Sequence, residues 1–184
     1  MRVIAGTAGG IQLDVPKSGV RPTMDRVKGA IFSSLGEEII GARVLDLFAG
    51  TGGLGIEALS RGAASALFVE ENSSAASAIE RNLARTKLEG RVRKQDVFAF
   101  LKSTQTPAPF RIIFADPPYE KTKSGGEFSH LLLESPELAG MLDGAGFFVL
   151  EKRPAEKVAG TPLWNVTRAK KYGATEVLFL QRSP

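Results

Sequence analysis

The chain has 184 residues, 43% hydrophobic and 24% charged, enough for one domain with a proper core and too few for two ordinary ones. No apolar stretch approaches the ~20 residues of a membrane span, and Met1–Gly6 is too short in its apolar part for a secretion signal. Cysteine is absent and His130 is the single histidine, which excludes disulfides, thiolate metal sites and His-rich metal sites. No metal is expected, and a reducing, cytoplasmic setting is.

The net charge of +4 favours an acidic partner weakly, but its distribution says more. Residues 81–94 carry Arg81, Arg85, Lys87, Arg91, Arg93 and Lys94 against Glu89 alone. The tail adds Lys152, Arg153, Lys157, Arg168, Lys170, Lys171 and Arg182 against three glutamates. Clustered Lys and Arg neutralise phosphates and release counterions, the footprint of nucleic-acid binding. The same clusters also suit the solvated face of a basic protein.

In chain order, Val3–Val15 reads as a β-hairpin around Thr7-Ala8-Gly9-Gly10. Thr23 is placed to cap a helix carrying Met24, Val27, Ile31 and Leu35 at helical spacing. From Arg43 the pattern alternates. Apolar strands at Val44–Phe48, Ala66–Val69, Val92–Lys94, Ile112–Ala115 and Phe147–Leu150 are separated by helical stretches near 54–61, 74–86, 97–103 and 128–142. Such alternation predicts a parallel sheet covered on both faces. Trp164–Tyr172 and Thr175–Leu180, around Gly173, read instead as a closing antiparallel hairpin. The expected organisation is a single α/β domain over 1–184, with a hairpin-plus-helix extension at 1–41 and a core at 42–184.

Val44–Phe48 leads into Ala49-Gly50-Thr51-Gly52-Gly53-Leu54-Gly55 and then a helix. Glycines at a strand-to-helix turn let the backbone approach a ligand and aim amide N–H groups at it. Gly50, Gly52 and Gly55 also fit G-x-G-x-x-G, so a dinucleotide site and an oxidoreductase remain open on this motif alone. Glu70 closes the next strand, placed to grip the ribose hydroxyls of an adenosine, which a dinucleotide and a sulfonium methyl donor both contain. Asp46, close to the loop, is repulsive to a pyrophosphate but suits a cationic sulfonium. Asp96 follows the third strand, where a carboxylate can accept from adenine's amine. Asp46, Glu70, Asp96 and Asp116 thus end four successive predicted strands on one edge of the sheet, where open α/β folds bind ligands. Any one of them alone could simply cap a helix.

Behind Phe110–Ala115 comes Asp116-Pro117-Pro118-Tyr119. Two prolines cannot extend a helix or join a central ladder, so the chain turns stiffly here. The expected arrangement has the Asp116 carboxylate and the Pro117 carbonyl accepting both hydrogens of an exocyclic amine. Pro118 holds the turn, and Tyr119 stacks on the base. These four residues resemble the signature of S-adenosylmethionine-dependent amino methyltransferases.

Over nearly the whole length, the chain resembles the bacterial RsmD-type methyltransferases that modify guanine N2 in 16S ribosomal RNA. The marks are Arg2–Gly6, Arg21-Pro22-Thr23 with Asp25-Arg26-Val27, Asp46–Gly52, Leu59–Ala63, Phe68-Val69-Glu70, Asp116–Tyr119 and Tyr172-Gly173. The resemblance implies a Rossmann-like, mostly parallel seven-stranded sheet ending in an antiparallel hairpin. It implies S-adenosylmethionine contacts at Asp46, Phe48, Ala49, Gly50, Gly52, Glu70, Asp96 and Val97. It implies a small-subunit RNA in an assembled or partly assembled 30S particle as partner; Arg21, Thr23 and Arg26 are candidate RNA contacts, and for Arg21 and Arg26 a helix-surface or salt-bridge role, for instance with Asp25 or Glu37, stays open. The Asp116–Tyr119 motif also serves adenine N6 and cytosine N4 DNA enzymes, so those remain alternatives, as does an RNA-binding module without activity. Residues 121–127 read as a variable loop, Phe98 as core or as an adenine cover, and His130 as a surface partner of Glu134.

Overall fold

The structure, a computed structural model, describes residues 1–16, 25–103, 108–118, 127–156 and 162–184. Seven strands form one sheet: β1 (Arg43–Leu47), β2 (Ser65–Val69), β3 (Arg91–Arg93), β4 (Phe110–Ala115), β5 (Leu142–Lys152), β6 (Trp164–Tyr172) and β7 (Thr175–Arg182). Their order is β3-β2-β1-β4-β5-β7-β6. The first five are parallel, and β7 pairs antiparallel with both β5 and β6. This is the expected mostly parallel sheet with its closing hairpin.

Six α-helices and one short 3₁₀ helix (Gly36–Ile39) accompany the strands among the described residues: α1 (Asp25–Leu35), α2 (Gly53–Ser60), α3 (Ser73–Thr86), α4 (Val97–Ser103), α5 (Phe128–Leu133) and α6 (Pro136–Met141). Two apolar clusters sandwich the sheet. One joins α1, α2 and α3 to Val44, Phe68 and Phe114; the other joins α4, α5 and α6 to Leu45, Ile113 and Leu150. Alternate residues of β1 face opposite clusters, as strand pleating requires. From β1 the chain works outward to β3, then returns to place β4 on β1's other side. The crevice between β1 and β4 is therefore the switch point where such sheets bind ligands.

Two expected elements differ. The helical stretch near 128–142 is two helices and the start of β5, because Pro136 lacks an amide and opens a new helix behind a Ser135 cap (Leu138 N to Ser135 Oγ, 3.1 Å). The hairpin at Val3–Val15 shrinks to a single antiparallel bridge, Arg2 with Gln12. Amides that a longer ladder needs are bound by α2 instead: Ile4 and Ala5 donate to Glu57, and Thr7 and Ala8 to Ser60. The predicted helix at 54–61 and the 74–86 helix agree with α2 and α3. Asn72 caps α3 by accepting from Ser74 and Ala75. Thr23 and Met24 lie outside the described residues.

Candidate active site at the carboxyl rim of the sheet

The loop after β1 is built on left-handed backbone. Gly50 has φ 54° and Gly52 φ 80°, and between β1 and these glycines Phe48 takes φ 54° without being glycine. Such strain, about 1–3 kcal/mol per residue, persists only where surroundings impose it, as ligand sites do. Here Ala49 N is fixed by Val69 O at 3.1 Å and Gly52 N by Ala49 O at 2.7 Å. Gly55 has a packing role. A Cβ on it would sit 2.3 Å from the Phe68 ring, so only glycine lets α2 press onto β2.

The rim acids fall where strand spacing predicted. Asp46 is buried and its Oδ2 accepts from Gly55 N at 2.8 Å. Burial pushes this carboxyl up to about 8; the Gly55 bond opposes that, and the nearby charges of Asp116 and Glu70 add to it. Glu70 joins the loop directly, accepting from Gly50 N at 2.8 Å and from Asn72 N at 2.7 Å. Burial raises its pKa, against the pull of those two amides. Each Glu70 oxygen retains acceptor capacity for a ribose hydroxyl. Three carboxylates thus converge at the β1–β4 crevice, and the like charges of Asp116 and Glu70 beside the buried Asp46 are of the kind that a bound cation relieves.

Asp96 has its own task, capping α4 through Ala99 N at 2.8 Å. Val97 points into the core, leaving only its main chain for a ligand. Phe98 stands half-buried in a ring cluster at the same rim. It stacks on Phe128 at 6.0 Å, and Phe48 meets both edge-on at 6.3 and 5.7 Å. Among the prolines behind Asp116, Pro117 is buried and Pro118 exposed, and both line a cavity of about 150 Å³ shared with Phe128, Glu151 and Lys152. Tyr119, Arg21, Thr23 and residues 121–126 lie outside the described residues.

Of the basic residues, Arg26 is exposed on α1. Arg81 pairs with Asp14 at 2.9 Å and Arg85 donates to Gln12 O at 3.1 Å, so both hold the N-terminal segment. Arg168 and Lys170 stand exposed on β6, donating to Ser34 of α1. His130 meets Glu134 at 3.2 Å on the surface. Among the described residues, no helix is long and apolar enough to cross a membrane.

Sequence reasoning passed over Glu57. Fully buried in α2, it accepts from Ile4 N, Ala5 N and Arg61 Nε and pairs with the buried Lys28 at 3.1 Å. The signal was a lone acid inside a helix whose every residue is buried. Glu151 was also passed over, although it follows the apolar run Phe147–Leu150 as the other rim acids follow theirs.

A family model described as Conserved hypothetical protein 95 matches residues 1–181. The chain belongs to this family, the RsmD type. YlbH of Bacillus subtilis is 37% identical over 187 residues, covering 99% of each chain. Ribosomal RNA small subunit methyltransferase D of Escherichia coli is 42% identical over 123 residues, covering 66% of this chain and 61% of that one. The solved structure of yhhF from Escherichia coli matches with TM-score 0.81 at 31% identity, over 100% of this chain and 98% of that one. With the RsmD family come S-adenosylmethionine dependence and the methyltransferase form of the Rossmann-like sheet, to which the glycine loop and the acid-lined crevice of this chain conform.

Proposed function

We propose that this protein methylates the exocyclic N2 of a guanine in small-subunit ribosomal RNA, within a 30S particle or a precursor of it. The observation that carries this is the convergence of Asp46, Glu70 and Asp116 at the β1–β4 crevice, beside a turn stiffened by Pro117 and Pro118. When bound there, S-adenosylmethionine supplies a methyl group on a positively charged sulfur. Asp46 and the loop of Phe48–Gly52 hold the charged end, Glu70 takes the ribose hydroxyls, and the Val97 main chain with the free oxygen of Asp96 faces the adenine. A dinucleotide's pyrophosphate fits this negative crevice poorly.

The Asp116 carboxylate and the Pro117 carbonyl accept the two amine hydrogens, which fixes the nitrogen lone pair toward the methyl. Positioning of this kind supplies as much as ~7–11 kcal/mol of barrier reduction. After transfer, the proton left on nitrogen passes to Asp116. Tyr119 stacks on the base, a contact worth roughly 1–3 kcal/mol. Arg21, Thr23 and Arg26 contact the RNA backbone, and a guanine in folded RNA must first be unstacked, at a few kcal/mol. Tritium transfer from labelled donor tests this: label in small-subunit RNA or particles supports it, and label in DNA alone refutes it.

A further inference from the structure

Glu57 ties the start of the N-terminal segment to α2, and a second buried side chain, Asn82 of α3, ties its end to the loop after β1. We propose that Asn82 is a positioning residue for methyl transfer, its side-chain amide holding the loop of Phe48–Gly52 in the form that receives the donor. The inference rests on the proposed seat of S-adenosylmethionine against that loop and is independent of which base is methylated.

Asn82 is fully buried, and its three described partners are main-chain atoms. Its Oδ1 accepts from Asp14 N at 2.7 Å, and its Nδ2 donates to Asp14 O and to Thr51 O, each at 3.0 Å. The oxygen meets an N–H and the nitrogen meets two carbonyls, so the amide fits in one orientation and both its hydrogens are engaged. The two bonds to Asp14 fix the end of the N-terminal segment, shortly before Arg21 in the sequence. Arg81 and Arg85, from the same part of α3, hold that segment at Asp14 and Gln12 O.

The third bond reaches the loop itself. Thr51 is buried between Gly50 and Gly52, both at positive φ. Its carbonyl and the Gly52 amide belong to one peptide unit. Asn82 holds the carbonyl end, and Ala49 O holds the amide end at 2.7 Å. With both ends held, this planar unit cannot turn over. Glu70 fixes Gly50 N beside it. A glycine-rich loop left free loses much conformational freedom on binding, so one fixed beforehand binds more tightly. Asn82 therefore acts on the donor through the Thr51 peptide.

Titration calorimetry with S-adenosylhomocysteine tests this in wild type, Asn82→Asp, Asn82→Ala and Thr86→Val. Asn82→Asp keeps the side chain's size and its acceptor for Asp14 N but cannot donate to either carbonyl. Thr86 is buried one turn on and donates to the α3 carbonyls of Asn82 and Leu83, so Thr86→Val loosens the helix and leaves the bond to the loop. Both Asn82 variants should bind about tenfold more weakly or worse, with kcat at saturating donor changed less than about threefold. Thr86→Val should bind as wild type does although its melting temperature falls. Undiminished affinity in the Asn82 variants, or an equal loss in Thr86→Val, overturns the inference.

Hydrogen exchange of the wild type decides without a variant. Bound S-adenosylhomocysteine should slow the Asp14 amide at least about threefold more than the Gly10 amide, which bonds Val3 O within the same segment. An equal response of the two contradicts the tie. Should wild type fail to bind S-adenosylhomocysteine at all, the seat proposed for the donor fails, and the inference with it.

Discussion

Asp46 and Glu57 are buried carboxylates eleven residues apart, and their surroundings are opposites. Glu57 receives two backbone amides, the Arg61 guanidinium and the buried Lys28 ammonium. Asp46 has the Gly55 amide and two like charges, and its pKa climbs to about 8. A buried acid furnished with cations is a structural joint, here tying the N-terminal segment to α2. A buried acid left among other acids is a place for a ligand that brings the cation. Both sit on or against α2, so one helix joins the cofactor loop at its first turn to the N-terminal segment at its last.

Substitutions should separate the two. The largest effect belongs to the rim: Asp116→Ala should lower methyl transfer by roughly 10³-fold or more while cofactor affinity changes little. Labelled-donor assays beside titration calorimetry check both halves, and retained turnover would refute the role. Next, Glu57→Ala should cost about 3–5 kcal/mol of stability, because Lys28 is left charged and buried. Denaturant unfolding measures this, and a loss below 1 kcal/mol would show the joint to be unimportant. Asp46→Asn should do the reverse, leaving stability near wild type or higher at pH 8 while weakening cofactor binding on the order of tenfold.

The pH dependence sharpens the contrast. Asp46 titrates near 8 in the folded protein against an ordinary value of 3.8. Between about pH 4 and 8 the folded chain therefore holds a proton that the unfolded chain has released. Its contribution to stability is greatest at the acid end and declines as pH rises through that window. A cationic ligand beside the ionised carboxylate offsets the decline. The rise in melting temperature on adding S-adenosylmethionine should thus grow from pH 5 to pH 8 in wild type and stay flat in Asp46→Asn. The smallest effect is expected at the surface, where Lys170→Glu should weaken RNA affinity a few-fold and reduce the slope of log affinity against log salt by about 1.

The rim was legible in the sequence because its acids follow apolar runs, and a strand's end needs no long-range knowledge to locate. Gly50 and Glu70, related in the sequence by their spacing around one cofactor, prove to be hydrogen-bonded to each other. Asp96 was legible as a position, with a helix cap and an adenine contact both open, since a carboxylate after a strand serves either end. Glu57 and Lys28 were not read as a pair, because partners 29 residues apart meet only after α1 folds over α2. The N-terminal hairpin failed for the same reason: alternation in Val3–Val15 shows a strand's pattern, but the docking of its amides on Glu57 and Ser60 overrides it. The break at Ser135-Pro136 was open to view, as a cap residue followed by proline marks a helix start.

The most direct measurement is mass spectrometry of nucleosides from 30S particles incubated with the protein and a deuteromethyl-labelled donor. One labelled nucleoside, N2-methylguanosine, is the expected result, and it should vanish with Asp116→Ala. Label on adenosine N6 or cytidine N4, or none in the RNA, would contradict a crevice that holds a sulfonium beside a guanine amine.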